Sequence, residues 1–199
     1  MSLQSAQQAI VSRAAADLAR VDLAARCRIL GLPQPQGDQL CLRAFGLDLL
    51  LALPGFELTL AGSGKPPRLG EQILVLRYLQ CARPVSPARQ LISFRDLPGG
   101  QFYWQPFVSR SIGPLTSRIG NDLALLARHL SRYDWQPFDG GDFGARIHAI
   151  GRLDAALVYH RGDEAFGPAA ELLFDACIKG VYTTEEVAHL ASRLCLGLL

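Results

Sequence analysis

Between Ile92 and Phe107 the chain reads ISFRDLPGGQFYWQPF, which sets an Arg-Asp pair, a Pro-Gly-Gly turn and a cluster of aromatic rings within sixteen positions. Glycines at 99 and 100 admit positive φ, and successive backbone N–H groups in such a turn can cradle an anion. Arg95 and Arg110 lie close enough in sequence to add guanidinium groups suited to a carboxylate or phosphate. The plainer alternative is a corner that reverses the chain after a strand, with Asp96 paired to Arg95 or capping a turn. A second set, Asp163 and Glu164 with Asp175 beyond, has the chemistry of an acid/base pair or of oxygen ligands to a divalent cation. Its alternative is a hydrated loop pair or a cap on the next segment. The candidate ligand-binding residues are therefore Arg95, Asp96, Gly99, Gly100, Arg110, Asp163, Glu164 and Asp175. The Arg95–Gly100 and Asp163–Glu164 loops are expected to meet at one end of a sheet. Phe102, Tyr103, Trp104 and Phe107 could stack a planar ligand, but no basic cluster interleaves them, and the four-residue spacing of Tyr103 and Phe107 favours a buried helix face.

Other chemistries lack their residues. Neither GxxxxGK[ST] nor GxGxxG occurs, and no GxSxG elbow is present. His129, His148, His160 and His189 form no HxH, HExxH or Cys-His spacing, so no metal is expected. Cys27, Cys41, Cys81, Cys177 and Cys195 are odd in number and dispersed, which fits reduced thiols and neither a disulfide framework nor a CxxC knuckle. The 20 basic and 18 acidic residues are interspersed for a net charge of +2, without the basic patch that nucleic acid requires. Eighteen of the basic residues are arginine; only Lys65 and Lys179 are lysine, an imbalance that codon bias explains without a converging site. The longest strongly apolar run, Leu49–Leu53, is too short for a bilayer, and the start of the chain does not read as a leader. The expected location is the cytoplasm. No function is attached to Met1-Ser2-Leu3.

The elements that must position these residues follow from periodicity. Ile10, Ala14, Leu18 and Val21 recur at helical spacing, and Asp22–Leu30 continues or restarts that helix before Gly31-Leu32-Pro33. LCLRAFGLDLLLALP reads as a hairpin turning at Gly46-Leu47, which pairs Ala44 with Leu49, Leu42 with Leu51 and Leu40 with Leu53 on one apolar face. After a Gly/Pro loop at 61–67, EQILVLRYLQC (71–81) is apolar around nearly its whole circumference and forms the central buried helix. Leu91–Phe94 reads as a short strand and Asp122–Leu130 as a helix with Leu123, Leu126 and Leu130 inward. FGARIHAIGRLDAALVYH forms a second hairpin turning at Gly151-Arg152, with His148 opposite Ala155. LLFD is a strand, and a last helix opens on a Thr183/Glu186 capping box and carries a Val187, Leu190, Ala191, Leu194, Leu198 stripe. Hairpins in place of βαβ crossovers give an α+β fold: a single domain, 1–199, of antiparallel hairpins packed against a buried central helix and terminal helices, with Pro84–Pro87 as the place where two lobes would divide.

Four stretches, LGEQILVLRYLQCA, ISFRDLPGGQFY, YHRGDEAF and LLFDACIKGVYTTEEVAHL, together resemble an uncharacterised bacterial and archaeal family, domain of unknown function 3786, found mainly in anaerobes. The likeness runs from about Ala15 onward, and FRDLPGG and the Gly-Asp-Glu followed by Leu-Phe-Asp are its most specific parts. The family has no established reaction. Some relatives carry a cysteine-rich iron–sulfur segment ahead of this domain, which implies service beside corrinoid or one-carbon redox enzymes. The five dispersed cysteines here match no cluster motif, so iron–sulfur binding is not expected to carry over, and no cofactor is named.

The leading expectation is an accessory or binding domain acting on a partner protein or a small anionic ligand. One alternative is an enzyme in which Asp163, Glu164 and Asp175 hold a cation while Arg95 or Arg110 orients an anionic substrate. Another is a structural homodimer, which an exposed apolar patch on the second hairpin or last helix would favour. The residues do not decide between enzyme and binding module, and oligomeric state is left open.

Overall fold

The computed structural model describes residues 3–199; Met1 and Ser2, which carry no assigned function, lie outside the described residues. The fold is α+β, and the strand pairs β1–β2, β2–β3, β4–β8, β5–β6 and β7–β8, whose ranges follow, are antiparallel. The chain divides into two compact units: residues 1–86 with 150–152, and residues 87–149 with 153–199.

The first unit contains α1 (Leu3–Leu18), α2 (Leu23–Leu30), β1 (Gln39–Ala44), β2 (Leu47–Ala52), β3 (Glu57–Leu60) and α3 (Leu69–Gln80). Asp22 caps α2 by accepting from the Ala25 N–H at 2.9 Å, and Gly31, at φ 70°, ends it. The apolar circumference read at 71–81 is α3, which packs on α1 and α2 and buries Leu74, Val75, Leu76, Tyr78 and Leu79. Tyr78 is fully buried, so its hydroxyl needs partners. It donates to the Leu30 carbonyl at 2.7 Å and accepts from the Arg152 N–H at 3.0 Å. The Tyr78 ring lies where a side chain at Gly151 would project, which keeps that turn position a glycine.

The first hairpin corrects the expected register. Its two-residue turn is Phe45-Gly46, not Gly46-Leu47, and Ala44 pairs with Leu47, Leu42 with Leu49 and Leu40 with Leu51. Phe45 and Gly46 both have positive φ, 54° and 74°, as a type I′ turn demands. A phenylalanine tolerates that backbone here because its ring is buried, at 1% exposure, and the burial outweighs a left-handed penalty of about 1–2 kcal/mol. A two-residue slip leaves every side chain on its original face, so Leu40, Leu42, Ala44, Leu49 and Leu51 are buried as expected. Leu53 falls beyond the strand and is half-buried.

The second unit holds β4 (Leu91–Ile92), α4 (Trp104–Arg110), α5 (Ile112–Ile119), α6 (Leu123–Leu130), β5 (Trp135–Pro137), β6 (Phe143–Ile150), β7 (Leu153–His160), β8 (Ala169–Asp175) and α7 (Thr184–Gly197). Strand order is β5-β6-β7-β8-β4. The second hairpin turns at Gly151-Arg152 as read, and Ala145, Ile147, Ala149, Ala156 and Val158 are buried. The Thr183/Glu186 capping box forms, with the Thr183 N–H donating to Glu186 at 2.9 Å, and the α7 stripe at 187, 190, 191, 194 and 198 is buried. The aromatic expectation is corrected: Phe107 is buried, but Tyr103 is 62% and Phe102 89% exposed, because α4 begins only at Trp104. Among the described residues no helix is long and apolar enough to cross a membrane.

Candidate functional site

The FRDLPGG stretch folds into a 3-10 corner, Phe94–Asp96, directly after β4. Its charges and glycines serve the corner first. Asp96 accepts the Ser93 N–H at 2.7 Å, and the Ser93 hydroxyl accepts the Arg95 N–H at 3.2 Å. Phe94 is buried and stacks on Phe107 at 4.1 Å; Trp104 stacks on Phe107 at 5.4 Å, and the Arg95 guanidinium lies 4.1 Å over the Trp104 ring. Gly99 takes the positive φ, 73°, with open space around it. Gly100 is a glycine for a different reason: a Cβ there would run into the Phe94 carbonyl. The Thr184 hydroxyl donates to the Pro98 carbonyl at 2.8 Å and ties the corner to the start of α7.

Asp163 closes its own loop. One carboxylate oxygen accepts the Ala165 and Phe166 N–H groups, both at 2.8 Å, and those bonds, Phe166 foremost, hold the carboxyl below the usual range. Asn121 clamps the loop by accepting from the Gly162 N–H at 2.7 Å and donating to its carbonyl at 2.9 Å. Glu164 is exposed. Asp175 sits at the far end of β8, six steps from Ala169, or about 20 Å at ~3.4 Å per residue. It is 9% exposed and accepts from the N–H groups of Ala88 (2.8 Å), Arg89 (2.9 Å) and Cys177 (2.9 Å). Burial opposes its ionisation, yet these three donors still hold its carboxyl below the usual range. Cys177 beside it is pushed up to about 12, by burial first and by the Asp175 carboxylate second.

The expected site residues thus occupy four places. Arg95, Asp96, Gly99 and Gly100 share the corner, Arg110 ends α4, Asp163 and Glu164 share the β7–β8 loop, and Asp175 ends β8. Among the described residues no hydrogen bond or ion pair joins Arg95 to Asp163 or Glu164, and no group of three or more His, Cys, Asp or Glu side chains is placed to hold a metal ion.

A concave groove of about 650 Å³ lies between α4 and α7, within the second unit. Phe94, Phe107 and Leu196 contribute its apolar surface and Tyr103 stands exposed beside them. Arg110 brings a cation to it, and Glu185 and His189, one helical turn apart on α7 with His189 Nε2 3.9 Å from the carboxylate, bring an acid and an imidazole. The Ser192 hydroxyl donates to the Arg110 carbonyl at 2.8 Å and fixes the end of α4 against α7. Of these groups Arg110 is among the residues expected from the sequence, and Glu185 and His189 are not. Their i, i+4 spacing on the polar side of a recognised helix was the available signal; what was missing was α4 as the opposite wall.

No curated protein and no solved structure matches the chain. Residues 22–196, from the cap of α2 to the last turn of α7, match the family described as Domain of unknown function (DUF3786), and the chain belongs to that family.

Proposed function

We propose that this domain is a binding module whose α4–α7 groove takes a small ligand with one anionic end and an apolar or aromatic body. The supporting observation is the groove itself: its volume of about 650 Å³ is that of a small-molecule site, most of its surface is apolar, and Arg110 supplies one well-placed cation. A carboxylate or phosphate would take the Arg110 fork, and the rest of the ligand would lie along Phe107 and Leu196. Glu185 and His189 would set the polarity of the opposite rim, where the Glu185 carboxylate disfavours a second anionic end. In this reading Arg95, Asp96, Gly99 and Gly100 hold Phe94 and the Trp104–Phe107 stack in place, and Arg110 makes the contact. Service beside corrinoid or one-carbon redox enzymes in an anaerobe is a setting that family resemblance alone suggests.

The test is a heteronuclear NMR titration of the whole chain with benzoate and, separately, inorganic phosphate. Benzoate is expected to shift the Arg110 and His189 signals saturably, and Arg110→Gln to weaken it about tenfold, the effect of losing one charge-assisted hydrogen bond. Phosphate alone, lacking the apolar body, should bind more weakly. Unmoved groove signals with both probes, or unchanged affinity in the variant, would remove the reading.

A further inference from the structure

A second concavity of about 650 Å³ lies on the outer face of β5–β6–β7 and shares no lining residue with the groove. Its make-up follows from strand alternation. Ala145, Ile147 and Ala149 of β6 point into the core and are buried, so Arg146 and His148 share the opposite face. Gln136 pairs with Arg146 in the β5–β6 ladder, and the Asp134 carbonyl accepts the His148 N–H at 2.8 Å, which brings the end of the α6–β5 connection to the same rim. From β7, Asp154 Oδ1 lies 3.2 Å from His148 Nδ1. Trp135 pairs with Ile147 and its ring lies 6.0 Å from that of Phe143, so its side chain belongs to the other face of β5–β6.

These groups have a definite recognition chemistry. The bond between Nδ1 and Asp154 holds the His148 ring in one orientation, with Nε2 as its second hydrogen-bonding nitrogen. Gln136 offers both donor and acceptor, Arg146 offers donors, and Asp154 accepts. The lining carries charge of both signs, Arg146, whose guanidinium lies 5.4 Å from the centre of the Phe138 ring, with Asp134 and Asp154, so neither a strongly anionic nor a strongly cationic ligand is favoured. Closely spaced planar side chains of both hydrogen-bonding senses match a ligand whose every polar group is at once donor and acceptor, which is the property of neighbouring hydroxyls on a sugar ring.

We propose that the recess formed by Gln136, Arg146, His148 and Asp154 is a binding site for a neutral saccharide. It needs no contribution from the α4–α7 groove. The experiment titrates the full chain with cellobiose and with maltose, each up to about 20 mM, well above the ~1 mM affinity of a weak small-molecule site, and follows the His148 ring and Gln136 amide signals. Glycerol and inorganic phosphate serve as comparison probes. At least one disaccharide is expected to shift both signals saturably, and Asp154→Asn to weaken it about tenfold by releasing the His148 ring. Benzoate binding in the groove should be unaffected by that variant. If Asp154→Asn does not fold, Arg146→Gln carries the same expectation. The proposal is overturned if neither disaccharide shifts these signals, if glycerol or phosphate binds as tightly as the sugars, or if a folded variant keeps full affinity.

Discussion

At the scale of single residues, adjacent glycines in one motif answer to different constraints. Gly99 is required for its backbone, at φ 73° with nothing nearby to obstruct a side chain; Gly100 is required for space, because its Cα is packed against the Phe94 carbonyl. Reading both as freedoms for positive φ therefore names the right residues and the wrong cause for the second. The two substitutions should differ in kind. Gly99→Ala should cost about 1–2 kcal/mol, the penalty of a left-handed L-residue. Gly100→Ala should cost about 3 kcal/mol, since a backbone carbonyl cannot move aside as a flexible side chain can and the displaced Phe94 sits in the core stack. Urea melts of both variants measure the difference; equal costs would mean that the corner relaxes around Gly100.

At the scale of elements, short polar links decide which segments meet. Asp175 ends β8, caps the 3-10 turn Ala176–Gly180 through Cys177, and holds the incoming chain at Ala88 and Arg89 just before β4 pairs with β8. A carboxylate with a depressed folded-state value contributes stability that is fully present above the unfolded-state value of ~3.9 and lost as pH falls through the folded-state value. The contribution at neutral pH is therefore complete and disappears only in acid. Asp175→Asn, which leaves three N–H donors with a poorer acceptor, should lose about 2 kcal/mol at neutral pH. The wild-type and variant stabilities should converge as the pH falls below the unfolded-state value of ~3.9 and on through the lower folded-state value. Denaturant melts across pH check this, and a constant gap down to strong acid would assign the effect to packing instead.

At the scale of the whole molecule, the five cysteines report on burial in both units. All are free thiols. Burial raises Cys27 to about 11 and Cys195 to about 12, and Cys177 stands at about 12 through burial and its carboxylate neighbour. Cys41 is exposed on β1, while the Cys81 thiol donates to the Arg83 carbonyl at 3.5 Å. Because the thiolate is the reactive form, Ellman's reagent at about pH 8 should modify Cys41 first and Cys81 and Cys177 more slowly. Cys27 and Cys195 should react only as denaturant unfolds the chain. Native-state modification of Cys27 or Cys195 at the rate of Cys41 would show that the first or second unit opens without global unfolding.

What the sequence by itself determined was the set of features carried by local pattern. The circumference of α3, the Thr183/Glu186 cap, the α7 stripe, the inward face of the first hairpin and the α+β class rest on periodicity or on residues within a few positions of each other, and the family on the likeness of four stretches spread along the chain. Only the tertiary structure decided three other matters. The turn slipped to Phe45-Gly46 because a buried ring stabilised a backbone that phenylalanine does not choose by itself. The Asp175 carboxylate was taken up by the backbone N–H groups of Ala88 and Arg89, which lie far from it in sequence. The groove and the sheet recess each need two or more walls, α4 with α7 and β5 with β6 and β7. Periodicity marks which face of an element turns inward; which element lies across from it is set by the packing of the whole chain.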